Sequence, residues 1–187
     1  CGSGTLAIEA ALLGLNSAPG LMRENFGFMH LPDFSQERWD MLLSEAEAEE
    51  LGALDFRIIA TDQSVEAIEA ARKNAIAAGV DRYIEFGVCD FRETEIPEGG
   101  GIVIMNPKYG ERLGDVRSLG EVYKAIGDFF KQKCQGYDAF IFTGNLDLAK
   151  QVGLRTFKRV TFFSAKIECK LLGYKMYSGS KKASKQV

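Results

Sequence analysis

Residues 102–109 place chemistry-bearing groups in an informative order: Ile102-Val-Ile-Met-Asn106-Pro-Lys-Tyr109. A short apolar run with the profile of a buried strand ends abruptly in an amide, a proline-fixed carbonyl and an aromatic ring. In an open α/β sheet, ligands bind at the carboxyl ends of the strands. An amino group on a flat base fits such a corner, with its hydrogens on the Asn106 side-chain oxygen and the Pro107 carbonyl and its ring on Tyr109. That arrangement suits methyl transfer to an exocyclic nitrogen. A plain strand-end turn uses the same residue types, so the motif alone leaves both readings open.

Three further positions bear on the choice. The chain opens on Cys1-Gly-Ser-Gly-Thr5, a glycine loop running into an amphipathic helix. Gly2, Ser3 and Gly4 let the backbone approach a ligand closely, and the helix start favours a carboxylate or phosphate. Asp62 ends a strand, where it can accept from ribose hydroxyls. Asp90 ends the next strand, and with Phe91 it can hold an adenine amino group and ring face. Strand-end aspartates also serve as helix caps, and Ser64 follows Asp62 closely. As an ordered set, the positions point to an adenosine-containing ligand. A nicotinamide dinucleotide fits less well, because Thr-Leu-Ala follows Gly4 and no third glycine comes before Gly14. No acid/base pair for hydride chemistry is evident. S-adenosylmethionine is favoured, since its methyl is already activated and the protein must mainly align the partners.

The elements that must position these groups follow from periodicity. Helices are expected at Leu6–Leu15, Gln36–Leu51, Ser64–Ala78 with a Gly79 C-cap, Leu119–Cys134 and Asn145–Val152. Strands are expected at Phe56–Thr61, Tyr83–Cys89, Ile102–Met105 and Ala139–Thr143. Two further β-rich runs, Phe157–Ser164 and Ile167–Tyr177, are close enough to form an antiparallel hairpin. Alternating strands and helices imply an α/β fold with a mostly parallel, doubly wound sheet covered on both faces. A glycine loop of this type normally follows a buried strand, so the first strand is expected to be missing.

With 46% hydrophobic and 26% charged residues, 187 positions suffice for one well-buried core. No apolar run is long enough to span a membrane. Four scattered cysteines and the lone His30 give no metal site or disulfide framework, and a reducing cytoplasm fits them. His30 reads as a packing residue, Trp39 as core, and the Glu45–Glu50 run as a solvated helix face. Net charge is −3, but residues 1–105 hold 7 Lys and Arg against 19 Asp and Glu, whereas residues 106–187 hold 16 against 7. The basic half can steer a polyanion.

Cys1-Gly-Ser-Gly-Thr-Leu-Ala-Ile-Glu-Ala10, followed downstream by Asn106-Pro-Lys-Tyr-Gly-Glu-Arg-Leu113, resembles the class I S-adenosylmethionine-dependent methyltransferases that modify guanine N2 in 23S ribosomal RNA. They belong to a wider family that often carries an RNA-binding THUMP domain. Glu121–Phe130, Phe140–Gly144 and Ile167–Tyr174 extend the likeness over nearly the whole chain. The resemblance implies a Rossmann-like catalytic domain over residues 1–177, a basic flexible tail at 178–187, and an N-terminal RNA-binding domain absent from this chain. It makes Gly2, Ser3 and Gly4 the donor loop, Asp62 the ribose ligand, and Asp90 the adenine contact. Asn106, Pro107 and Tyr109 become the target-base clamp. Lys108 stands where the family usually has a second proline, and Ala165-Lys166 where Asn-Gly is frequent. Asn-Pro-Pro-Tyr is shared with DNA adenine-N6 enzymes, so a DNA or protein amino-group methyltransferase stays open, as does a catalytically idle RNA-binding module.

Overall fold

The computed structural model describes residues 1–21, 23–108, 115–164 and 167–177. The chain divides into two compact units, Cys1–Thr94 and Glu95–Val187. The hydrogen-bonded strands accordingly fall into two sheets, one in each unit, where the alternation of elements suggested one.

The first unit holds α1 (Thr5–Gly14), α2 (Gln36–Ala48), β1 (Ile58–Asp62), α3 (Val65–Ala77) and β2 (Ile84–Val88). β1 and β2 pair in parallel from Ile58 opposite Ile84 to Asp62 opposite Val88. Both strands therefore deliver their carboxyl ends to one edge, which puts Asp62 and Asp90 near each other in the chain's own geometry. Ile8 and Ala11 of α1, with Leu15 just after it, bury against Ile58, Ala60, Ala75, Val80 and Ile84. The helix stops are local chemistry. After α3, Gly79 takes φ 72°. Its N–H donates to Ile76 O, and that of Val80 donates to Ala75 O, a Schellman turn. α1 ends in the same way with Asn16 in the left-handed position at φ 55°, one of the few side chains that tolerate it. Ser64 caps α3 by accepting from Ala67 N–H at 3.1 Å, as its place before the apolar repeat suggests.

α2 contributes no buried residue. Trp39 is half-buried and packs edge-on against Phe26 and Phe28, with ring centroids 5.5 and 5.1 Å away. The neighbouring acidic run is exposed, as expected of a solvated face. His30 differs from its expected packing role. It closes a short 3-10 turn on the surface and its ring Nε2 lies 2.9 Å from Asn25 Oδ1, so local polar bonding replaces burial there.

The second unit holds β3 (Gly101–Met105), α4 (Asp115–Lys133), β4 (Tyr137–Thr143), α5 (Leu146–Lys150), β5 (Lys158–Ser164) and β6 (Ile167–Lys175). Sheet order is β3-β4-β6-β5. β3 and β4 are parallel, while β6 pairs antiparallel with both β4 and β5. The expected hairpin is thus present, and its second strand is the one that joins the sheet. Tyr137, Ala139, Ile141 and Thr143 alternate inward along β4, the period-2 signature of a strand with one face in the core. α4 covers that face: fully buried Tyr123 shares a 2.7 Å hydroxyl hydrogen bond with Thr143, so two polar groups are satisfied inside the core. No described helix is long and apolar enough to cross a membrane. Residues 109–114, the Ala165-Lys166 turn and the expected tail at 178–187 lie outside the described residues.

Gly127 fixes how α4 meets the turn after α5. A Cβ there would lie 2.0 Å from the Val152 carbonyl oxygen, which is backbone and cannot swing aside. Gly127→Ala is therefore expected to destabilise the protein by about 3 kcal/mol through overpacking. Thermal unfolding of the two proteins checks this, and an unchanged midpoint would remove Gly127 from the packing account.

Candidate active site

In the first unit, the opening loop is shaped by two left-handed glycines. Gly2 has φ 57° and Gly4 has φ 83°, a region that side chains with a Cβ seldom adopt. Gly4 also packs tightly, since a Cβ would fall 2.9 Å from Ala71 Cβ of α3. Gly2 has open space on its Cβ side instead, with nothing within 4 Å. One glycine thus seats the loop on α3 while the other leaves its outer face clear. Asn74 of α3 donates to the Ser3 carbonyl at 2.9 Å, and the Ser3 and Thr5 hydroxyls are 3.1 Å apart.

Asp62 ties this loop to the end of β1. Its Oδ2 accepts from Gly2 N–H at 2.9 Å and from the Cys1 nitrogen at 2.8 Å. Oδ1 accepts from Ser64 N–H at 3.0 Å. Burial pushes this carboxyl up, but hydrogen bonds, those from the Gly2 and Ser64 N–H groups among them, outweigh it and hold it below the ordinary carboxylate range. A carboxylate offers about four lone-pair sites. Three are used by backbone or amino nitrogens, so the residue expected to grip a ribose is already the anchor of the loop and the lead-in to α3.

Asp90 is also engaged. Arg92 reaches it with Nε on Oδ1 and Nη2 on Oδ2, both at 2.8 Å, and Arg92 N–H adds a 2.9 Å bond to Oδ1. The Arg92 side-chain hydrogen bond is the largest influence lowering this carboxyl to about 2. Arg92 is a residue that sequence reasoning missed. Its signal was the Asp-x-Arg spacing, which lets one guanidinium fork onto a capping carboxylate. Phe91 is half-buried beside the pair, and the Arg92 guanidinium lies 5.7 Å from its ring centroid. Thr94 was also missed. Its hydroxyl bonds Thr61 at 2.7 Å and pins the segment after β2 to the end of β1.

Asn106, Pro107 and Lys108 follow β3 in the second unit. Asn106 and Lys108 are exposed, and Pro107 is half-buried. Asn106 thus presents its amide to solvent, unlike the two committed aspartates. Tyr109 lies outside the described residues. The four cysteines are free, and burial pushes the Cys134 thiol up to about 11, too high for a thiolate nucleophile. No group of His, Cys, Asp and Glu that could hold a metal ion occurs among the described residues.

The Asp62 anchor has a pH signature. A carboxyl whose folded pKa is depressed stabilises above its unfolded value and loses that contribution as pH falls through the folded value. Wild type should exceed Asp62→Asn in stability by about 2 kcal/mol near neutral pH, the scale of a hydrogen bond to a charged group. The gap should shrink as pH drops below the ordinary carboxyl value of 3.8. Denaturant titrations across that range check it; a gap independent of pH would mean the carboxylate's charge does not hold the loop.

Comparison with known proteins places this arrangement. Residues 1–172 match the RMKL-like methyltransferase domain. The ribosomal RNA large subunit methyltransferase K/L of Syntrophotalea carbinolica is 41% identical over 180 residues, covering 93% of this chain and 25% of the relative. SMU.472, assigned as a methyltransferase and solved in complex with SAH, superposes with TM-score 0.87 at 27% identity, covering 96% of this chain and 47% of that one. A Listeria monocytogenes protein predicted as an N6-adenine-specific DNA methylase gives 0.82 at 30% identity, covering 94% and 45%. The chain spans about a quarter to a half of the curated relatives it matches. With its α/β architecture of the Rossmann-like class I methyltransferase type, this chain belongs to the RMKL-like methyltransferase domain family.

Proposed function

We propose that this chain is the catalytic domain of an S-adenosylmethionine-dependent RNA methyltransferase acting on an exocyclic amine, guanine N2 of 23S ribosomal RNA. The observation that carries the reading is the coincidence, within one family match over residues 1–172, of the opening glycine loop with Asn106-Pro107 at the carboxyl end of β3. The likeness to K/L enzymes of the large ribosomal subunit supports RNA as the target.

The residues fit an adenosyl donor. Gly2 and Ser3 are exposed, with open space at Gly2, and buried Gly4 seats the loop on α3; Asp62 keeps lone-pair capacity at the strand end, and Asp90 with Phe91 offers an acceptor beside a ring. These are the groups that would hold it. When bound, S-adenosylmethionine supplies an electrophilic methyl group on a sulfonium, so no strong base is needed before attack. The protein's task is alignment. The Asn106 side-chain oxygen and the Pro107 carbonyl accept the two amine hydrogens, which keeps the nitrogen lone pair out of the base's π system and stabilises the positive charge that develops there. Tyr109 supplies the face on which the base lies. Lys108, exposed between them, suits a phosphate of the same strand.

The Listeria likeness favours a second reading, an adenine-N6 target, because its amine makes the same two hydrogen bonds. Methyl incorporation from labelled donor into 23S ribosomal RNA and into DNA, with the full-length protein, separates the two. Asn106→Ala is expected to lower RNA methylation about 100-fold, the scale of one lost transition-state contact. Equal turnover by the variant would remove Asn106 from the chemistry, and activity on DNA alone would transfer the function to the second reading.

A further inference from the structure

The β5–β6 hairpin carries a surface that neither the donor loop nor Asn106-Pro107 uses. Its place is set by register within the second unit. β4 ends at Thr143, which pairs with Lys170. The hairpin continues for three more pairs, Phe162 with Cys169, Phe163 with Glu168 and Ser164 with Ile167. At about 3.4 Å per residue, the tip stands on the order of 10 Å beyond the end of β4. β3 runs parallel to β4 and reaches Met105 opposite Ile141, so Asn106 leaves the sheet toward the same edge. β3 and β6 are two strand spacings apart, again roughly 10 Å.

The tip's composition is unusual for an outer hairpin. Phe163 is 73% exposed. Its neighbours on that face of the ladder are Thr161, Lys170 and Glu168, so no apolar side chain from the opposite strand meets it. Phe162, on the other face, is partly spent on an edge contact with Phe142 at 5.9 Å. Residues 155–177 contain six Lys and Arg against the single acid Glu168. A lone exposed ring is ordinary. An exposed ring on a cationic projection, at the sheet edge where Asn106 emerges, is a different matter.

Resting on the RNA reading above, we propose that this hairpin tip is a second RNA-contact site, with Phe163 stacking a single-stranded nucleotide next to the target base, and with Lys170 (2.6 Å from Glu168) and Arg159 of the same face meeting its phosphates. Single-stranded RNA is favoured as occupant because every base offers a stacking face and the backbone complements the local charge. A protein groove would find one ring bordered by Thr161, Glu168 and Lys170, a poor hydrophobic anchor.

The test uses the full-length protein with Phe163→Ala and Phe163→Trp. Phe163→Ala should raise KM for a single-stranded ribosomal RNA fragment about tenfold, with kcat and S-adenosylhomocysteine affinity little changed. Phe163→Trp should restore the wild-type KM. Its new indole should be quenched by a short single-stranded RNA, and less by a duplex of that sequence. Wild-type emission under the same titration gives the baseline. An unaltered KM in Phe163→Ala, or an indole indifferent to RNA, would overturn the hairpin site. If wild type fails to methylate any RNA, the functional reading falls, while the indole response still decides whether the tip binds RNA.

Discussion

One carboxylate sets the terms for the first unit of this chain. Asp62 receives nitrogen donors from Cys1, Gly2 and Ser64, and these belong to the glycine loop before α1 and the lead-in to α3. Without that anchor, a loop with two left-handed glycines would pay a large entropic penalty to hold any one shape. With it, Gly4 stays against Ala71 and Gly2 keeps an open face. The constraint also explains why Asp62 sits where β1 stops: past that point its side chain, rather than a neighbouring strand, satisfies the backbone donors.

How much of this was legible in the sequence depends on the range of the interactions. Helix ends set by Ser64, Asn145 and Gly79 were readable because a cap is decided within four residues. The β5–β6 hairpin was readable because its strands are adjacent and alternate. The pairing of β6 with β4 was not, since nothing local in Ile167–Lys175 tells a strand which of two neighbours it joins. Division into two units was equally hidden, because contact density is a property of the folded chain. Asp62 and Asp90 were legible as strand-end residues, but the partners that already hold them were not. Arg92 looked like an ordinary surface residue until its fork closed on Asp90. His30 was misjudged because a sequence gives little warning that a 3-10 turn will stay at the surface. Tyr109 remains a reading of the motif.

The two units also differ in charge. Residues 1–94 hold 7 basic and 17 acidic side chains, and residues 95–187 hold 16 and 9. A basic unit attracts a polyanion and an acidic unit repels one. That division matches where the candidate groups fall: loop and carboxylates in the first, exposed amide and cationic hairpin in the second. Edge strand β5 gains from the same charge, because Lys158 and Arg159 discourage pairing with another chain.

The most direct test is backbone amide NMR of the protein titrated with S-adenosylhomocysteine. If the anchored loop is the donor site, the Gly2, Ser3, Gly4 and Ser64 amides will shift together and saturate at one ligand concentration. Saturable binding that leaves these four amides unmoved would place the donor elsewhere and contradict the account.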